Sequence, residues 1–181
     1  MEELIRQYLD GDDEAFTKII QLIQVDLFRI ARARLDNIED INDAIQETMI
    51  LSYKNLKKLE EIKYFKTWII KILINECNKI YQQKKKKMNI FQKLTKNKEF
   101  NLEACTDIIL EAERKMDLEN ILRELSYEEK IAIVLFYGCD YSLIEIANIL
   151  GVSSNTIKSR ITRAKQKIKT MYKGGAKSET I

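Results

Sequence analysis

A chain of 181 residues with no proline and only five glycines has few places where a helix must break. Proline removes a backbone donor and clashes inside a helix, and glycine weakens it by its conformational freedom. Sandwiches and barrels need many Gly- and Pro-rich turns, which this chain lacks. The expected fold class is all-α: two small helical bundles joined by a flexible basic linker, the second bundle containing a helix-turn-helix. Apolar residues make up 45 % of the chain, enough for each bundle to bury a core.

The sequence contains no histidine. That excludes imidazole acid–base catalysis, Ser-His-Asp and Cys-His nucleophiles, and His-ligated zinc. Cys77, Cys105 and Cys139 are 28 and 34 residues apart, with no C-x-x-C spacing, so neither a disulfide framework nor a thiolate metal site is indicated. Adjacent acidic residues such as Asp12-Asp13, Glu60-Glu61 and Glu128-Glu129 point to different faces of a helix and make poor catalytic pairs. The expectation is a protein that is not an enzyme and uses no cofactor. Met1-Glu2-Glu3 does not read as a leader, and the longest apolar run, Ile131 to Tyr137, is too short for a membrane span. A cytoplasmic protein without direct membrane insertion is expected.

The formal net charge of +3 conceals four blocks of alternating sign. Residues 1–61 carry 8 basic and 14 acidic groups, and residues 62–98 carry 11 and 1. Residues 99–150 carry 4 and 12, and residues 151–181 carry 8 and 1. Two acidic halves each end in a basic segment, as expected of two modules that each turn one face to a polyanion.

In the first half, Gly11-Asp12-Asp13 reads as a turn and N-cap, followed by Phe16, Ile19, Ile20, Ile23, Leu27 and Ile30 at helical spacing. Ile45, Met49, Ser52, Leu56 and Leu59 predict a second helix. Tyr64 to Tyr81 is apolar nearly all round and predicts the central helix of the bundle, with Trp68 in its core. From Gln82 to Asn101 the period fades and lysines cluster, including Lys84 to Lys87, which reads as an extended linker. Leu118, Ile121, Leu122 and Leu125 resume the helical period, and a further helix runs from about Tyr127 to Tyr137. The expected domains are residues 1–83, a linker at 84–105, residues 106–173, and a frayed tail at 174–181.

Ser142 to Tyr172 is the most specific stretch. Ser142 caps a short helix with Leu143, Ile146, Ala147 and Leu150 on one face, and Gly151 follows where a left-handed residue is needed. Ser153 caps a second helix whose Ile157, Ile161, Ala164 and Ile168 face inward. Two helices joined by a three-residue turn with glycine, and a small Ala147 at the crossing, define a helix-turn-helix. The outer face of the second helix carries Asn155, Lys158, Ser159, Thr162, Arg163 and Gln166, flanked by Arg160, Lys165, Lys167 and Lys169. Donors for base edges and cations for phosphates thus lie on one element.

Four segments, in order, resemble the extracytoplasmic-function (ECF) class of bacterial RNA polymerase sigma factors. They are Gly11-Asp12-Asp13-Glu14-Ala15-Phe16, Asp43-Ala44-Ile45-Gln46-Glu47-Thr48, Phe65-Lys66-Thr67-Trp68 with Asn75, and Tyr141 to Ala147 continuing through Thr156-Ile157-Lys158-Ser159-Arg160. The resemblance spans nearly the whole chain. It implies that Asp43, Gln46 and Glu47 dock on core RNA polymerase, and that Lys57, Lys58, Lys63, Tyr64, Phe65 and Asn75 hold the melted promoter −10 element. It implies that Asn155, Thr156, Lys158, Ser159, Arg160, Thr162, Arg163 and Lys167 meet the −35 element, with residues 84–105 threading through the polymerase. It also implies a cognate anti-sigma factor. Two departures stand out: Met49 replaces a usual aromatic, and Glu60-Glu61 occupies a loop where basic or small residues are commoner. A stand-alone helix-turn-helix regulator or a helical protein-binding adaptor are the alternatives; neither explains both the segment at Asp43 to Thr48 and the basic linker.

Overall fold

The computed structural model describes residues 1–94 and 124–175. The first unit begins with α1 (Glu2–Leu9) and α2 (Asp13–Arg32), followed by α3 (Ile38–Asn55) and the long α4 (Phe65–Leu94). Two short 3-10 turns, Leu56–Lys58 and Ile62–Tyr64, carry the chain from α3 to α4. The second unit consists of α5 (Tyr127–Ile133), a π-turn at Val134–Gly138, α6 (Leu143–Leu150) and α7 (Ser154–Gly175).

Local chemistry sets the helix starts. The Asp12 side chain accepts the Glu14 N–H at 3.0 Å, and the Asn37 side chain accepts those of Glu39 and Asp40. α2 buries Phe16, Ile19, Ile20, Ile23, Leu27 and Ile30, as its period predicts. α3 behaves differently from its apolar pattern. Its buried face is Ile41, Ala44, Thr48 and Ser52, while Ile45 and Met49 are only half-buried. Small side chains let α3 and α4 approach closely. The two hydroxyls are satisfied locally, Thr48 Oγ1 donating to Ala44 O at 2.7 Å and Ser52 Oγ to Met49 O at 2.9 Å. The helix ends at Asn55, so Leu56 and Leu59 lie beyond it rather than on it.

α4 also departs from expectation. It runs 30 residues, about 45 Å at 1.5 Å per residue, and Lys84 to Lys87 continue it as helix instead of opening an extended linker at residue 84. Four lysines in a row retain helix propensity when nothing breaks the backbone, and Lys84 is ion-paired with Asp40 of α3. The remainder of the expected linker, with Leu118, Ile121 and Leu122, lies outside the described residues.

The two units share one hydrophobic core, in which Ile131, Leu135, Tyr141 and Ile146 join the residues of α1 to α4. Arg29 Nη1 of α2 donates to Gly138 O at 2.7 Å. The Arg34 guanidinium lies between Tyr81 of α4 and Tyr127 of α5, at 3.7 and 3.9 Å from their ring centroids.

Candidate nucleic-acid interface

α6 and α7 form the helix-turn-helix through short-range bonds. Ser142 and Glu145 make a capping box, with Glu145 N–H on Ser142 Oγ at 3.3 Å and Ser142 N–H on Glu145 Oε2 at 2.9 Å. Gly151 closes α6 at φ 65°, ψ 35°, a left-handed conformation that costs glycine nothing. Ser153 Oγ accepts the Thr156 N–H at 3.1 Å and opens α7. Ile146, Ala147, Ile157, Ile161 and Ala164 are buried at the crossing.

This leaves Asn155, Lys158, Ser159, Thr162 and Arg163 exposed along one face of α7, the arrangement expected of a recognition helix. Ser159 Oγ donates to Asn155 O, and Thr162 Oγ1 to Lys158 O, both at 2.9 Å. With their hydrogens so used, these hydroxyls present acceptor lone pairs outward, suited to the exocyclic amines of cytosine or adenine. Thr156 and Arg160 are half-buried, and the Thr156 hydroxyl bonds the Ser153 cap at 2.8 Å. Lys167 is turned to the flank: its Nζ sits 2.8 Å from Glu129 Oε2 of α5. Sequence reading missed Glu129, although Ser126-x-x-Glu129 ahead of an apolar run is a capping-box signature.

A second face lies where the 3-10 turns meet α4. A cavity of about 910 Å³ is lined by Lys58, Leu59, Glu60, Tyr64, Trp68 and Asn75, among others. Tyr64 is exposed, Trp68 half-buried and Asn75 exposed. Two aromatic rings and an amide at a solvent-open cavity can stack an unpaired base and hydrogen-bond its edge. Trp68 thus packs against the bundle core, as expected, and also lines the cavity. Phe65, contrary to expectation, is 1 % exposed at the start of α4, its ring 6.0 Å from that of Trp68, and offers no face to a base. Lys57 and Lys58 stand exposed on the first turn, with Lys58 Nζ on Asn55 Oδ1 at 3.1 Å. Lys63 pairs with Glu61, and that hydrogen bond raises its affinity for the proton above the ordinary lysine value. The pairing offsets part of the repulsion that Glu60-Glu61 would exert on phosphate.

Further along the α3–α4 seam, adjoining the cavity at Glu76 and Lys79, Asp43, Gln46 and Glu47 line a 320 Å³ groove with Ile50 and Ile80. The three residues expected to dock on polymerase thus share one exposed, mostly polar surface, to which Glu76 and Gln83 also contribute.

A helix-turn-helix whose second helix leaves donors and cations exposed along one face is the arrangement of a DNA-binding protein. Residues 19–87 match Sigma-70 region 2, and residues 115–168 match Sigma-70, region 4. The ECF RNA polymerase sigma factor SigW of Bacillus subtilis (strain 168) is 25 % identical over 179 residues, covering 93 % of this chain and 95 % of the relative. RNA polymerase sigma factor SigV of the same organism is 29 % identical over 144 residues, covering 77 % and 80 %. The fold is similar to that of CnrH, solved in complex with the cytosolic domain of CnrY, with a TM-score of 0.70 at 20 % identity over 96 % of this chain and 97 % of that one. It is also similar to the sigma factor RpoE of Bartonella quintana, solved with the anti-sigma factor NepR, with a TM-score of 0.67 at 24 % identity over 87 % and 96 %. The chain belongs to the sigma-70 family, in its extracytoplasmic-function class. It is thus an RNA polymerase sigma factor, a subunit that binds core polymerase and promoter DNA.

Proposed function

We propose that the first unit docks on core polymerase through Asp43, Gln46 and Glu47, and captures an unpaired −10 base in the cavity between Tyr64, Trp68 and Asn75. The exposed N-terminal half of α7, with Asn155, Lys158, Ser159, Thr162 and Arg163, reads the −35 element in the major groove. Lys57 and Lys58 steer the backbone of the melted strand toward the cavity. The observation that carries this reading is the pairing of the aromatic cavity with a separate recognition helix in one chain. A stand-alone helix-turn-helix regulator has no use for the cavity or for the Asp43–Glu47 groove.

The region 2 match ends at residue 87, within the helix that runs past the expected boundary at 84, and the region 4 match begins at residue 115, which supports a core-binding unit built on α1 to α4 and a −35-binding unit that ends in the helix-turn-helix. Among the described residues no helix is long and apolar enough to cross a membrane, and we assign the protein to the cytoplasm, where polymerase works. CnrH was solved with the cytosolic domain of CnrY and RpoE with the anti-sigma factor NepR, and we infer a cognate anti-sigma factor for this chain. The reading is tested by adding the chain to core polymerase and mapping transcript 5′ ends on genomic fragments. New, discrete start sites with a shared upstream sequence are expected; starts identical to those of core enzyme alone would overturn it.

A further inference from the structure

Glu129 is a carboxylate whose side chain is only 7 % exposed, lodged between α5 and the flank of the recognition helix. It does three things at once. Its Oε2 accepts the Ser126 backbone N–H at 3.0 Å, completing the N-terminal cap of α5. The same oxygen takes Lys167 Nζ at 2.8 Å. Its Oε1 lies 4.0 Å from Arg163 Nε.

Lys167 and Arg163 sit one helical turn apart on the same edge of α7, so a single buried charge governs both. Lys167 is held directly, while Arg163 remains 62 % exposed with its Nε side drawn toward the carboxylate. Burial alone would oppose ionisation of Glu129. The Lys167 hydrogen bond, the Ser126 N–H and the nearby Arg163 outweigh it and hold the carboxyl below its ordinary range. It is therefore charged at neutral pH, and a charged carboxylate beside α7 both occupies Lys167 and repels phosphate. Nearby, Lys165 Nζ lies over the Tyr137 ring at 5.6 Å from its centroid.

We propose that Glu129 is a positioning residue for promoter recognition: by holding Lys167 off the DNA and orienting Arg163, it confines contact to the base-reading N-terminal half of α7 and keeps sequence-independent affinity low. This rests on the reading of α7 as the −35 recognition helix. A lysine released to phosphate adds one counterion to those displaced on binding, steepening the salt dependence by about 0.9 in log–log slope. Non-specific binding is almost wholly this term, so one withheld lysine shifts the balance between specific and non-specific binding.

The test uses the full chain and a mixed-sequence duplex of about 30 base pairs, titrated by fluorescence anisotropy between about 50 and 200 mM salt. Glu129→Gln keeps the cap, since glutamine serves at that position, and removes only the charge. The variant is expected to bind the duplex more tightly than wild type at low salt and to lose roughly 3.5-fold more affinity over that range. Lys167→Met alone should leave the wild-type slope unchanged, and added to Glu129→Gln it should restore that slope. An unaltered slope in Glu129→Gln overturns the proposal, whether or not its melting temperature falls, as does a flatter slope in Lys167→Met alone. Absence of duplex binding by Glu129→Gln at the lowest salt also overturns it. Failure of the wild-type chain to direct discrete initiation with core polymerase would instead remove the sigma-factor reading, and the two failures are separately visible.

Discussion

The Arg34 guanidinium, in the turn that follows α2, lies 3.9 Å from the centroid of the Tyr127 ring, which belongs to the other unit of the chain. Tyr81 covers its opposite face at 3.7 Å. A planar cation between two rings is worth about 0.5–2 kcal/mol per face, more when water is excluded. Among the described residues neither Arg34 Nε nor the buried Tyr127 hydroxyl has a hydrogen-bond partner, so Arg34 and Tyr127 meet by stacking, beside the Arg29–Gly138 hydrogen bond and the shared core.

Arg34→Ala is therefore expected to lower unfolding free energy by about 1–3 kcal/mol and to loosen the two units. Arg34→Lys should rescue little, because an ammonium cannot stack in a planar sandwich. Urea titration gives the first quantity and the radius of gyration from X-ray scattering the second; a lysine variant as stable and compact as wild type would disprove the stacking account.

Asn75 is exposed at the rim of the aromatic cavity. Its replacement by alanine should change stability by no more than about 0.5 kcal/mol, as for most surface positions. Trp68→Ala empties part of the cavity wall and should impair promoter opening more severely. Permanganate footprinting of the melted region reads both, with core binding measured in parallel; a fall in melting temperature for Asn75→Ala without any change in opening would assign Asn75 to the fold.

Glu47 stands exposed beside Asp43 and Gln46 over the groove between α3 and α4. Glu47→Lys reverses the charge presented to polymerase and should weaken core binding at least tenfold, about 1.4 kcal/mol, in competition with another sigma factor. Helix content should be unaltered. Equal competition by wild type and variant would place the polymerase contact elsewhere.

The cap of α6 gives a pH signature. Hydrogen bonds from the Ser142 hydroxyl and backbone hold the Glu145 carboxyl below its ordinary value of 4.5. A carboxyl depressed on folding stabilises the native state above the unfolded value, and that contribution fades as pH falls through the folded value. Ser142→Ala should cost about 0.5–2 kcal/mol at neutral pH. The cost should begin to shrink as pH falls past about 4.5 and reach its floor below the lower folded value, where Glu145 is protonated in wild type and variant alike. Denaturant midpoints followed from pH 7 down to the most acidic pH at which the chain still folds measure the difference; a constant gap would exclude the pair as its source.

What the sequence determined by itself was short-range. Ser142, Gly151 and Ser153 specify α6, its turn and the start of α7 because each bond they make closes within five residues, and the neighbours needed are adjacent in the chain. The apolar period of α2 and the inward residues of α7 were legible for the same reason. Periodicity misjudged part of α3: Ile45 and Met49 are only half-buried, while Thr48, off the predicted line, is buried by donating to its own helix backbone, as Ser52, on that line, also is.

Only the tertiary structure decided the rest. The cavity needs the turns after α3 brought against α4, which buries Phe65 and leaves Tyr64 exposed one residue earlier. Glu129 meets Lys167 across 38 residues, and Arg34 meets Tyr127 across 93. No local pattern encodes such pairings, because they exist only after helices have packed; a side chain's partner, unlike its helix, is fixed by where the whole core places it.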